Sequence, residues 1–202
     1  FYQRYLDCLR AGEQLQIEES LLTDEIHREI LPLPFVSLFL DDCVARGLDC
    51  TNGGAVYNTT GLVAVGTATV ADSLYAIKRL VYDEKKLTLG ELTEILRNNF
   101  EGQEYLRQFI LNRFEKFGND QDCVDRLAVG ITDAFADELE KHHNSRGGAF
   151  WGALYSVSAQ VGLGNVCCAT PDGRLDGLPL SDGLMQFDMS MGKHMEIAQL
   201  ER

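Results

Sequence analysis

No apolar run in this chain of 202 residues approaches the roughly 18–20 residues that a membrane-spanning helix needs. The longest, LPLPFVSLFL at 31–40, is short and broken by Pro32 and Pro34, so a membrane partner is not expected. Positive charge is scarce: 18 Lys and Arg stand against 31 Asp and Glu, a net charge of −13. Such a surface repels phosphate backbones, which argues against nucleic acid. The six cysteines, at 8, 43, 50, 123, 167 and 168, contain no C-x-x-C pair. The adjacent pair is too strained to bridge itself, so reduced thiols in a cytoplasmic protein are expected. A Walker loop and a G-x-S-x-G elbow are both missing. Gly162-x-Gly164 lacks the third glycine of a dinucleotide fingerprint. The first ten residues, FYQRYLDCLR, show no signal-peptide pattern. They begin on Phe1 inside an amphipathic pattern, which leads us to expect a piece of a longer protein.

What is present reads mainly as helix. Tyr2, Tyr5, Leu6 and Leu9 recur at helical spacing within 1–30, and Leu22, Ile26 and Ile30 mark a second run over about 20–31. Pro32 and Pro34 end it. In FVSLFLDDCVARGLD the pattern predicts a helix whose apolar side holds Val36, Phe39, Leu40, Cys43 and Val44, stopped at Gly47. Residues 50–61 form a Gly-, Asn- and Thr-rich loop, followed by a helix with Val70, Leu74, Ile77 and Val81 on one face. Thr88 and Glu91 make a capping box, and Leu87 and Leu92 occupy the positions of a hydrophobic staple. Further helices are predicted over about 103–114 and 121–143, the latter with a stripe of Val124, Leu127, Ile131, Phe135 and Leu139. After NSRGG the texture changes. Alternation in LYSVSAQV, 154–161, predicts a strand, and TPDGR a turn with Pro171 at its second position. A lone strand needs partners.

Local chemistry is sparse. Cys167 and Cys168 have no neighbouring His to lower a thiol pKa, and read as small, buried apolar side chains at a strand end. His142 and His143 are adjacent without a partner at i+4, so a solvated helix end is favoured over a metal site. Asp24-Glu25 and Asp41-Asp42 read as solvated or capping carboxylates, and Asp172 and Arg174 as partners within a turn. No convergent acid–base pair is legible.

Several stretches, taken together, resemble the glycyl radical enzyme family, the pyruvate formate-lyase-like enzymes. They are LPLPFVSLFLDDCVARGLDCTNGGAVYN (31–58), VADSLYAIKRLVYDEKKLTLGEL (70–92), NNFEG (98–102), KFGNDQDCVD (116–125), NSRGGAFWGALYSVSAQVGLG (144–164) and ATPDGRLDGLPLSDG (169–183). Their style is closer to the dehydratase and C–N or C–S lyase branch than to formate C-acetyltransferase, which is kept as the alternative beside a non-catalytic remnant or scaffold. The resemblance implies an α/β fold in which 1–183 are a mostly helical portion of a ten-stranded barrel, with 184–202 a divergent tail. It implies radical dehydration, or cleavage of a C–N, C–S or C–C bond, of a small polar metabolite. A backbone glycyl radical is installed by an activating enzyme that uses S-adenosylmethionine and an iron–sulfur cluster, and a homodimer is usual. The thiyl cysteine and the radical glycine motif are not found among these residues, so no catalytic or metal-binding residue is assigned. LYSVSAQV resembles a barrel strand facing substrate, and with strand alternation this assigns Tyr155, Val157 and Ala159 to substrate binding. Tyr57 and Asn58 are weighed as pocket floor, with a purely structural loop favoured.

Overall fold

A computed structural model describes residues 1–155 and 157–182. The expected divergent tail, 184–202, lies outside the described residues. The chain divides into two compact units, one of residues 1–63 and 132–153, the other of 64–131 with, among the described residues, 154–182.

The first unit opens on helix α1 (Tyr2–Ile30), unbroken where the sequence suggested two runs, and ending just ahead of Pro32 and Pro34 as expected. Its buried positions are Leu6, Glu13, Ile17 and Asp24. Their 7-4-7 spacing makes one stripe along a helix. Leu22, Ile26 and Ile30, the expected apolar face, are exposed instead. The helix predicted through Asp41-Asp42 is two single turns, α2 (Pro34–Ser37) and α3 (Cys43–Arg46), separated by a turn in which Asp42 takes a left-handed conformation. Gly47 stops α3 with φ +61°, as expected. Of the predicted apolar side only Cys43 is buried.

Strand β1 (Thr60–Val63) pairs in parallel with β2 (Phe150–Ala153), in register Thr60 with Phe150 through Val63 with Ala153. The expected strand over 154–161 is therefore displaced. Strand β2 ends at Ala153, and Ala159 begins helix α8 (Ala159–Asn165). Among the described residues the sheet has two strands, β1 and β2, and neither reaches 154–161. The NSRGG loop sets the register. Asn144, buried, accepts from the amides of Arg146 and Gly148 and donates to Thr60 Oγ1 at 2.9 Å and to the Asn58 carbonyl. A side chain on Gly148 would run into that same Asn58 carbonyl.

In the second unit α4 (Thr67–Ile77) is buried at every position but Val70 and continues into one wide turn, Lys78–Asp83. Helices α5 (Leu89–Arg97) and α6 (Glu104–Arg113) follow. The capping box on α5 is formed as predicted: the Glu91 amide donates to Thr88 Oγ1, and the Thr88 amide donates to Glu91 Oε2 at 2.8 Å. Tyr75, Phe114 and Phe109 stack edge to face with centroids 6.0 and 5.5 Å apart. Helix α7 (Asp122–Leu139) belongs to this unit through Ile131 and to the first from Thr132, and Val124, Ile131, Phe135 and Leu139 of its predicted stripe are buried.

Candidate functional site

The expected substrate-facing residues lie on the stretch between β2 and α8 and at the start of that helix. Tyr155 is 57% exposed, Val157 is half-buried, and Ala159 is the exposed first residue of α8. Ala159 is helical, so strand alternation does not carry through all three.

The chain just beyond them is held tightly. The Leu180 amide donates to the Gln160 carbonyl at 3.1 Å. Gly164 comes so close to the Leu178 carbonyl and Pro179 that a Cβ there would collide with backbone. Ser181 and Thr69 exchange backbone–side-chain hydrogen bonds at 2.9 and 3.1 Å. The turn predicted at TPDGR forms, with the Gly173 amide donating to the Thr170 carbonyl at 3.1 Å and Pro171 at the second position. Arg174, only 8% exposed, gathers several acceptors around its guanidinium. It donates to Thr170 Oγ1, to the carbonyls of Leu175 and Leu178, and to those of both Cys167 and Cys168. The backbone amide of Arg174 donates to Asp172 Oδ1 at 3.4 Å, pairing the two within the turn as expected. A planar guanidinium with five donors suits this bundle of carbonyls better than an ammonium would.

The two cysteines thus serve through their carbonyl oxygens. Cys168 is exposed and Cys167 half-buried, which corrects the expectation of two buried apolar side chains. All six thiols are free.

The same turn is tied to α4. Asp72 is 1% exposed and accepts from the Phe117 amide at 2.8 Å, with Lys116 Nζ 3.8 Å from its second oxygen. Lys116 also donates to the Asp172 carbonyl at 2.9 Å. Burial pushes the Asp72 carboxyl up to about 7, against the pull of Lys116 and the Phe117 amide. Three separated stretches quoted for the family resemblance, 70–92, 116–125 and 169–183, therefore meet in one buried polar knot. Sequence reasoning missed Asp72 and Lys116. The legible signal was an aspartate inside an otherwise core-like stretch.

The first unit holds a second polar cluster. Asp24, expected to be solvated, is buried and ion-paired to Arg146, and accepts from Ser145 Oγ at 3.1 Å. Gln16, Glu19, Thr23, His27, Thr59 and Thr60 line an open groove of about 470 Å³ beside it. Glu13 is buried with neither carboxylate oxygen hydrogen-bonded, and burial followed by the charge of Glu138 pushes it up to about 7. His142, past the end of α7, sits 3.5 Å from Glu138. Among the described residues no three His, Cys, Asp or Glu side chains gather as a metal site, and no helix is long and apolar enough to cross a membrane. Asn58 donates to the Ala55 carbonyl at 2.8 Å, and Tyr57 is exposed.

A fold with these motif blocks in this order is that of the pyruvate formate lyase-like enzymes, and the model of that family matches residues 1–164. The chain belongs to this family, and its relatives are glycyl radical enzymes. It is 37% identical over 174 residues to the (2S)-3-sulfopropanediol dehydratase of Klebsiella oxytoca, a match covering 86% of this chain and 21% of the relative. Among solved structures, that of 1,2-propanediol dehydration in Roseburia inulinivorans is 39% identical with a TM-score of 0.87, covering 93% of this chain and 24% of the other. A glycyl radical enzyme from Archaeoglobus fulgidus is 34% identical with a TM-score of 0.82, covering 90% and 24%. The chain thus spans about a fifth of the length of its curated relative. The similarity favours the dehydratase and lyase reading over formate C-acetyltransferase.

Proposed function

We propose that these residues are a wall section of a glycyl radical dehydratase or lyase acting on a small polar metabolite. One observation carries the reading: nearly the whole chain superimposes, at a TM-score of 0.87 and 39% identity, on a quarter of an enzyme that dehydrates 1,2-propanediol. In the complete protein the chain contributes to a ten-stranded barrel, 1–183 being wall and 184–202 a divergent tail, and two such proteins pair as a homodimer. The glycyl radical, installed by an S-adenosylmethionine and iron–sulfur activating enzyme, supplies the hydrogen abstraction, and its residues lie outside the wall.

The wall's own residues bind, orient and exclude water. Tyr155 presents a phenolic hydroxyl to a substrate oxygen, and Val157 and Ala159 present apolar surface that keeps water from a reactive intermediate. The Arg174 bundle and the Asp72–Lys116 knot anchor the chain just beyond these three, so the segment bearing them is fixed at its C-terminal side. A site of this kind must be rigid, because small misplacements of positioning groups are costly in rate.

The test is a chimera in which residues 1–182 replace the matching quarter of the Roseburia enzyme. After anaerobic activation the expected result is a glycyl radical doublet in electron paramagnetic resonance together with dehydration of a vicinal diol or a related polar substrate. A soluble chimera that acquires no radical and dehydrates nothing overturns the reading.

A further inference from the structure

Residues 30–40 contain no charged side chain, yet they lie on the surface of the first unit. Phe35 is 72% exposed, Leu38 64% and Phe39 74%, and Leu31, Leu33 and Val36 are exposed with them. Contiguous apolar surface of this kind is uncommon on a free-standing protein and marks a face built to be covered.

The face is not a loose loop. Asp49 lies beneath it and accepts from the Leu33 amide at 3.1 Å, from the Thr51 amide at 2.9 Å, from Thr51 Oγ1 at 2.7 Å and from Ser37 Oγ at 2.9 Å. The Cys50 amide in turn donates to Ser37 Oγ at 2.9 Å. Desolvation opposes the Asp49 charge, but these hydrogen bonds outweigh it and hold the carboxyl well below its usual range. Phe35 and Phe39 pack edge to face with centroids 5.2 Å apart. The apolar groups are thus displayed on a pinned backbone, which lowers the entropy lost when a partner covers them.

Two occupants compete. A second copy, the pairing proposed above for the complete protein, is one, and the experiment below separates it from the other. In the Roseburia structure the matched elements make up 24% of one polypeptide, which leaves three quarters of a chain of that length to cover this surface. We propose that the face centred on Phe35 and Phe39 is an internal seam, covered by apolar elements of the portion of a glycyl radical polypeptide that lies outside these 202 residues. The proposal rests on the family reading above.

Hydroxyl-radical footprinting tests it, comparing the 202-residue chain with the chimera. Phe35 and Phe39 are expected to oxidise readily in the chain alone and at least tenfold more slowly in the chimera. F35D/F39D should leave the circular dichroism of the chain unchanged and lower the yield of soluble chimera at least tenfold. Equal oxidation of both phenylalanines in a chimera that carries the radical overturns the seam while the family reading stands. Protection in the chain alone, with sedimentation as a dimer, assigns the face to a second copy and also overturns it. A chimera with no radical and no dehydration removes the proposed function itself, and the seam with it.

Discussion

Lys116 Nζ stands 3.8 Å from Asp72 Oδ2 and donates to the backbone carbonyl of Asp172 at 2.9 Å. One ammonium therefore faces both a buried carboxylate of α4 and the backbone of the Pro-Asp-Gly turn. Removing the acid strands the Phe117 amide and takes the counter-charge from an ammonium that still donates to the Asp172 carbonyl. Asp72→Ala is expected to destabilise the chain by roughly 2–4 kcal/mol, since unpaired buried donors carry their full desolvation penalty. Asp72→Asn keeps an acceptor for Phe117 and should cost less. Urea denaturation of the two variants checks the order.

Glu13 and Asp72 predict how stability varies with pH. Their carboxyls rise from 4.5 and 3.8 to about 7, burial being the main cause in both. The folded state therefore holds these protons after the unfolded chain has released them. The stability they contribute is full below about pH 4 and is lost as pH climbs to about 7. Around Glu13 the Glu138 charge adds to this, while Arg10 and Lys141 oppose it. Glu13→Gln should flatten the decline of the urea midpoint between pH 4.5 and 7. An unchanged slope would show that Glu13 titrates as it does in water.

Arg174→Lys keeps the charge and loses the fork. Five acceptors, four of them backbone carbonyls, converge on the guanidinium, and one ammonium has only three protons to offer. A loss of about 2–3 kcal/mol is expected, with faster hydrogen exchange at Gly177, whose amide donates to the Cys167 carbonyl. Thermal melts and exchange rates read both.

Gly148→Ala forces a Cβ into the Asn58 carbonyl, and Gly152→Ala places one 2.8 Å from Phe135 Cε1. The first meets backbone and has no relief. The second meets an aromatic side chain that can shift slightly. Both should destabilise by about 1–3 kcal/mol, Gly148→Ala by more. Thermal unfolding decides the order.

Tyr155→Phe separates binding from structure. The side chain is largely exposed in this chain, so melting of the variant should stay within about 0.5 kcal/mol of the parent. In the chimera, loss of one hydrogen bond to a substrate oxygen should lower kcat/KM by roughly 3–10-fold. Unchanged kinetics would remove Tyr155 from the substrate site.

Much of the local structure was legible because it depends on residues a few positions apart. Thr88 and Glu91 form their box, Pro32 and Pro34 follow the end of α1, and Pro171 begins its turn. These signals are completed within one helical turn or less, so no distant partner can overrule them. The motif blocks likewise carried the family. The substrate-site assignment leaned on strand alternation over 154–161, which begins just beyond Ala153, the last residue of β2 that pairs with β1.

Burial and pairing belong to the tertiary structure alone. The sequence determined that 1–30 would be helical; only packing decided that Leu6, Glu13, Ile17 and Asp24 face inward while Leu22, Ile26 and Ile30 do not. Asp24 becomes a buried ion-pair partner because Arg146 arrives from 122 positions away, and β2 exists where β1 lies alongside it, about ninety residues earlier. A helix closes its hydrogen bonds within itself, whereas a strand or a buried charge is stable only when another part of the chain supplies the partner.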